Sequence, residues 1–286
     1  MHEVRWSSYL ALGDSFTEGL WDVLDDDGSP SVELAAWAAV NSQTPQAHSF
    51  HLRGWADLLA GHLAQARGAQ GDGGLRYANL AVRGWQLGQI IDEQVPQALA
   101  MKPDLVSLVG GGNDILRPAV DIDTVADRLE EAVATLRGAG IDVLLATGID
   151  AKGSTLISTT RSKVGIFNSH IWSMARRHGA MVLDVWGMRS LRDSRMWSSD
   201  RIHLLADGHR RVAQAALVAL GLEPEDHAWD DVETPLTPLG TRQRLTADAE
   251  WLREHAGPWA ARRLRRAVPH DLRRAKQPDW LELDAR

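Results

Sequence analysis

Leu10-Ala11-Leu12-Gly13-Asp14-Ser15-Phe16-Thr17-Glu18-Gly19 is the stretch on which the fold turns. An apolar run beginning at Tyr9 passes directly into Gly-Asp-Ser and then into residues that can open a helix. A strand followed by such a turn delivers the Ser15 hydroxyl to its carboxyl end, beside N–H groups that the first turn of a helix leaves unpaired. Open α/β sheets bind their ligands at that edge. The same letters also make an ordinary turn and helix cap, and on the fragment by itself that plainer reading wins.

Outward from this stretch, runs of strand length recur at Arg76–Val82, Leu105–Val109, Val143–Thr147 and Met181–Val185, which with Tyr9–Leu12 make five. Between them lie helical candidates at Leu52–Arg67, Leu87–Met101, Thr124–Arg137, Thr160–Arg177 and Ala206–Leu220. The alternation predicts βαβ units around a five-stranded parallel sheet. Two segments break the rhythm. Trp21–Phe50 is acidic and turn-rich from Asp22 to Pro30, then apolar enough over Val32–Val40 for a short helix. It is either a lid over the strand ends or a plain surface insertion. After Leu222, Glu223 to Gly240 reads as a linker and Arg242–Ala267 as a helix. A basic cluster at Arg262, Arg263, Arg265, Arg266, Arg273, Arg274 and Lys276 accompanies it. The expected division is a domain over 1–221 and a linker plus basic C-terminal helical extension over 222–286. Such a cluster is usually a solvated face; contact with a membrane surface or a protein partner is the sharper reading.

At 286 residues the chain has room for one or two domains of about 150 residues. With 44% hydrophobic and 24% charged residues it is globular in composition, which excludes disordered and collagenous classes. It has no cysteine, so disulfides, thiolate nucleophiles and cysteine-bound metal centres are excluded together. A net charge of −7 argues against nucleic acid as a partner. No transmembrane segment is expected, because stretches such as Ala213 to Leu222 fall short of the roughly 20 residues a bilayer requires. Residues 1–12 show neither the basic stretch nor the long apolar core of a signal peptide, and the expected location is cytoplasmic. Tryptophan supplies 12 of the aromatics against 3 Phe and 2 Tyr, so most indoles must serve in packing. Trp85, beside Gly84 in a loop after a strand, is the one assigned to a substrate pocket.

A serine hydroxyl becomes a useful nucleophile when a base within hydrogen-bond reach takes its proton. Among 11 histidines, His203 alone has an acid three residues earlier, in Asp200-Arg201-Ile202-His203. If that stretch forms a turn of helix, the carboxylate can hold one imidazole nitrogen while the other faces outward. The segment follows the last strand, which puts it at the same carboxyl edge as Ser15; a surface Asp–His pair is the plainer alternative. Acyl transfer also needs donors aimed at a developing oxyanion. Gly84, after the second strand, can let its N–H approach a substrate or simply make a turn. Gly110-Gly111-Gly112-Asn113-Asp114, after the third, can aim the Asn113 amide into a cleft or cap a helix.

Any one of these segments is common, but the four in this order resemble the sequence blocks of the SGNH, or GDSL, hydrolases. The blocks are Gly13-Asp14-Ser15, Gly84, Gly111-Gly112-Asn113-Asp114 and Asp200 to His203. The resemblance implies a flavodoxin-like three-layer α/β/α sandwich and a serine esterase or lipase that works through an acyl-enzyme. It implies Ser15 as nucleophile, His203 as base, Asp200 as its orienting acid, and an oxyanion hole from the Ser15 and Gly84 N–H groups and the Asn113 side chain. Asp14 joins Trp85 as a pocket candidate. Neither metal nor organic cofactor is implied, and the partner is a small-molecule ester with a short acyl or acetyl group favoured. Leu204 stands where the family often has proline after the histidine.

Two rival classes remain at this level. A flavodoxin-like flavin-binding protein would cradle a phosphate with Ser15 and Thr17, but leaves Asp200, His203 and Asn113 without a purpose. A noncatalytic binding module would act through its basic tail.

Overall fold

The computed structural model describes residues 3–24, 51–117, 119–150, 157–234, 240, 246, 249–253 and 274–284. Strand β1 (Ser8–Leu12) is buried throughout, with Tyr9 and Ala11 in one core and Leu10 and Leu12 in the other. A strand covered on both faces has no polar side, which is why it reads as an unbroken apolar run. Helix α1 (Ser15–Glu18) follows it. Two short strands, β2 (Val23–Leu24) and β3 (His51–Leu52), then pair antiparallel on either side of residues 25–50. The expected lid and its Val32–Val40 helix lie outside the described residues.

After α2 (Trp55–Gln70) come β4 (Leu75–Asn79), α3 (Leu87–Gln89), a π turn at Ile90–Gln94 and α4 (Val95–Met101). Next are β5 (Leu105–Leu108), α5 (Gly112–Ile115), α6 (Ile122–Gly138) and β6 (Asp142–Ala146). Then α7 (Arg161–His178), β7 (Met181–Leu183) and α8 (Ala206–Ala219) complete the alternation. The five expected strands all form and run parallel, in the order β7-β6-β5-β1-β4. Numbered by sequence this is the 2-1-3-4-5 order of flavodoxin-like sheets, whose switch point lies between β1 and β5. Helices α2 and α8 cover one face through Trp55, Leu59, Leu63, Val212 and Ala216, and α3, α4, α6 and α7 cover the other. The three-layer α/β/α sandwich is therefore in place.

The sheet has six strands rather than five. β8 (Gln277–Leu283) adds antiparallel to β4, with Leu75 opposite Leu283 and Tyr77 opposite Leu281. Its sequence, Gln277-Pro278-Asp279-Trp280-Leu281-Glu282-Leu283, escapes strand reading because an edge strand tolerates proline and charge and buries little. Residues 254–273, which hold most of the expected basic helix, lie outside the described residues, whereas Lys276 turns inward, as shown below. Another departure is the break in the expected Leu87–Met101 helix. Pro96 has no N–H to donate to the preceding turn, and the ladder widens into the π turn just before it. No helix among the described residues is long and apolar enough to cross a membrane.

Candidate active site

The loops after β1, β4, β5 and β7 meet at the carboxyl edge of the sheet. Gly13 opens the first. A Cβ there would lie 2.5 Å from Thr17 Oγ1 and 2.7 Å from the Val109 carbonyl oxygen, so glycine lets the β1–α1 turn press against the end of β5. Gln94, from the π turn, accepts from the Gly13 N–H at 2.8 Å and donates to its carbonyl at 3.0 Å. Asp14 caps α1, its Oδ1 accepting from Phe16 N–H at 3.1 Å, and the buried Ser15 is the first residue of the helix. The Glu18 carboxylate binds the Arg83 backbone N–H and guanidinium, which ties α1 to the loop holding Gly84.

His203 arrives from the loop between β7 and α8. An antiparallel bridge between Trp197 and Leu204, and a 2.9 Å bond from Ser198 N–H to the His203 carbonyl, close the neck of that loop. The expected turn of helix at residues 200–203 does not form. The chain makes a bend, with Arg201 at φ +60, and Asp200 Oδ1 accepts from the N–H groups of Ile202 and His203 at 2.9 and 3.0 Å. A side-chain oxygen thus takes the place of the helical carbonyl, as in other Asx turns, and still leaves Oδ2 facing the imidazole. His203 Nδ1 lies 2.7 Å from Asp200 Oδ2, and His203 Nε2 lies 2.9 Å from Ser15 Oγ. Burial alone would raise the Asp200 carboxyl. The hydrogen bond and charge of His203, the Ser198 hydroxyl at 2.5 Å and the His203 N–H outweigh it and hold the group well below the usual carboxylate range.

The remaining blocks join the same network. Asn113 Nδ2 donates to Asp14 Oδ2 at 3.0 Å and to the Trp85 carbonyl at 2.9 Å. Hydrogen bonds and chain neighbours therefore link Asp200, His203, Ser15, Asp14, Asn113, Trp85 and Gly84 without a gap. Gly84 sits at φ +82, a conformation that favours glycine, and is exposed at the rim. Trp85 brings its backbone carbonyl to Asn113, while its half-buried indole packs against the second core. Asp114 caps α3 through a 2.9 Å bond from Leu87 N–H, which fixes the loop beneath Asn113. Burial pushes the Asp14 carboxyl up to about 6, against the pull of the Phe16 N–H, the charge of His203 and the Asn113 amide.

Sequence reasoning passed over three other groups at the site. Trp21 Nε1 donates to Asp200 Oδ2 at 2.8 Å, Trp251 Nε1 donates to the Asp200 carbonyl at 2.8 Å, and Ser198 binds Asp200 as above. Among so many tryptophans no local signal marks these two. His209, on α8, is the nearby histidine that does not reach Ser15. It accepts from Trp55 N–H and donates to the Leu20 carbonyl, both at 3.3 Å, and burial pushes it down to about 3, so it stays neutral as a packing group. No cluster of three or more His, Asp or Glu with the arrangement of a metal site occurs among the described residues.

This geometry has relatives. The sequence profile of the GDSL-like Lipase/Acylhydrolase family matches residues 11–211. No curated protein matches the chain. Among solved structures, an alpha/beta hydrolase from the metagenome of Lake Arreo, Spain, is 24% identical with a TM-score of 0.57 over 75% of this chain and 95% of that one. An acetylxylan esterase from Geobacillus stearothermophilus is 19% identical with a TM-score of 0.56 over 80% of this chain and 97% of that one. A protein described as a GDSL-like lipase, from Parabacteroides merdae, is 16% identical with a TM-score of 0.59 over 78% of this chain and the whole of that one. These likenesses establish the shared fold, and the profile match, which covers more than half of the sequence, establishes the family: the chain is a carboxylic ester hydrolase of the GDSL-like lipase/acylhydrolase family.

Proposed function

We propose that Ser15, His203 and Asp200 act as nucleophile, base and orienting acid in the hydrolysis of a small carboxylic ester with a short acyl group. The observation that carries this reading is the unbroken relay from Asp200 Oδ2 through both imidazole nitrogens to Ser15 Oγ, at 2.7 and 2.9 Å. Both lengths fall within ordinary hydrogen-bond range, as a proton transfer requires. Ser15 Oγ attacks the ester carbonyl as His203 Nε2 takes its proton. The imidazolium, held by the ionised Asp200, then gives that proton to the leaving alkoxide, and an acyl-enzyme remains on Ser15. Water, deprotonated by the same imidazole, adds to the acyl carbon and releases the carboxylic acid and the Ser15 hydroxyl.

The oxyanion is assigned to the backbone N–H groups of Ser15 and Gly84 and the Asn113 amide. That amide is already donated to Asp14 and the Trp85 carbonyl, so its place is set before substrate arrives, and in the reaction it shares a proton with the oxyanion. Asp14 and Trp85 line the acyl side in this reading. We assign the chemistry to residues 1–221 and a supporting part to 222–286, from which Trp251 and β8 come. The acetyl preference draws support from the acetylxylan esterase that shares the fold, whose own substrate its name gives.

A chain-length series of nitrophenyl esters with native protein and Ser15→Ala tests the reading. Turnover is expected to be highest for acetate, to fall as the acyl chain lengthens, and to vanish in the variant. Faster turnover of long chains would overturn the short-acyl assignment, and a fully active variant would overturn the nucleophile.

A further inference from the structure

We propose that Trp21 is a positioning residue of this hydrolase, its indole N–H holding Asp200 Oδ2 and limiting how much of the carboxylate's charge reaches His203. The proposal rests on the reading of Ser15, His203 and Asp200 given above.

Asp200 Oδ1 is occupied by the Ser198 hydroxyl and the N–H groups of Ile202 and His203. Oδ2, the oxygen that faces the imidazole, accepts from His203 Nδ1 at 2.7 Å and from Trp21 Nε1 at 2.8 Å. A second donor on one carboxylate oxygen draws charge from the bond that the first makes. The indole therefore fixes the direction of the carboxylate and also weakens its pull on a proton at His203.

The backbone supplies a separate observation. Trp21 sits at φ +77, where a bulky residue is strained and glycine would be relaxed. The conformation is held from both sides. Asp22 N–H donates to the Gly19 carbonyl at 3.1 Å, Arg53 N–H donates to the Asp22 carbonyl at 2.7 Å, and the buried Asp22 carboxylate pairs with Arg53 at 3.2 Å. A fold that keeps a tryptophan in a glycine conformation so that its N–H meets Asp200 is pre-organised for that contact. Trp21 also lies just beyond α1, so the bond ties the helix that begins with Ser15 to the loop that carries His203. Trp251 braces the same acid from behind, through the Asp200 carbonyl, with the Arg201 guanidinium 5.5 Å from its ring centroid.

Among the described residues, the charged and titratable groups around His203 include Asp200 and Arg201 on its own loop, Asp14 from the β1–α1 turn, and His209 from α8. Asp14 is within electrostatic reach of His203, so a rate profile would mix the two groups. NMR titration of nitrogen-labelled imidazoles separates them, with the His203 signals assigned by their loss in His203→Gln. In Trp21→Phe the His203 titration is expected to move to higher pH, with kcat reduced and KM little changed. Because the phenyl ring can disturb packing, a second variant carries benzothienylalanine at position 21, which keeps the bicyclic shape and replaces the N–H by sulfur; the same shift is expected. An unchanged or lower titration in the folded benzothienylalanine variant would overturn the proposal. Full esterase activity in Ser15→Ala would instead overturn the reading of the nucleophile, so the two failures are distinguishable.

Discussion

Replacing Asp14 by asparagine probes the electrostatics of the site in a way that geometry alone does not. An ordinary aspartate ionises near 3.8 and Asp14 near 6, chiefly because it is buried. At 1.36 kcal/mol per unit, holding its charge inside the fold costs about 3 kcal/mol once it is fully ionised. The unfolded chain releases this proton first. The group's contribution to stability is therefore whole below 3.8 and is lost as the pH rises through about 6. Asparagine has the same shape without the charge, so Asp14→Asn should gain on the native protein by about 2 kcal/mol between roughly pH 4 and pH 7. Urea unfolding of both proteins across that range measures the difference, and titrating groups that do not interact with Asp14 cancel in the comparison. At neutral pH the variant should also lose about tenfold in kcat/KM, because Asn113 no longer donates to a carboxylate. A stability difference that stays constant with pH would refute the reasoning, since it would mean that Asp14 is not ionising against burial.

Asn113→Ala removes one of the proposed oxyanion donors and should lower kcat by a factor of about a hundred to a thousand with KM nearly unchanged, as steady-state kinetics on nitrophenyl acetate would show. Lys276→Met addresses the C-terminal segment. The Lys276 ammonium pairs with Asp57 at 2.6 Å and donates to the Glu18 carbonyl at 2.9 Å, at the end of α1. Its loss leaves a half-buried carboxylate short of a partner and should destabilise the protein by about 2 kcal/mol in urea melts. An unchanged midpoint would show that the segment does not support α1.

The blocks that meet at the candidate site were legible because the chemistry proposed for them demands unusual residues at strand ends. Gly13 must admit the Val109 carbonyl, and an acid three residues before a histidine is rare enough in this sequence to single out His203. The route by which Asp200 meets His203 was not legible. A helical turn and an Asx bend both bring positions i and i+3 together, and only the positive φ of Arg201 separates them. The five parallel strands show as apolar runs because they are covered on both faces, whereas β8, half exposed at the edge, carries Pro278, Asp279 and Glu282 and resembles a tail. Trp21 and Trp251 act through single indole N–H groups, and a sequence cannot say which of its tryptophans will have that proton aimed at a carboxylate or a carbonyl.

Peptide mapping by mass spectrometry after treatment with a fluorophosphonate tests the central assignment most directly. The account predicts one stoichiometric phosphonyl adduct on Ser15, with activity lost in proportion, and no adduct in Ser15→Ala or at comparable speed in His203→Gln. An adduct on another residue, or continued hydrolysis by protein fully modified at Ser15, would contradict it.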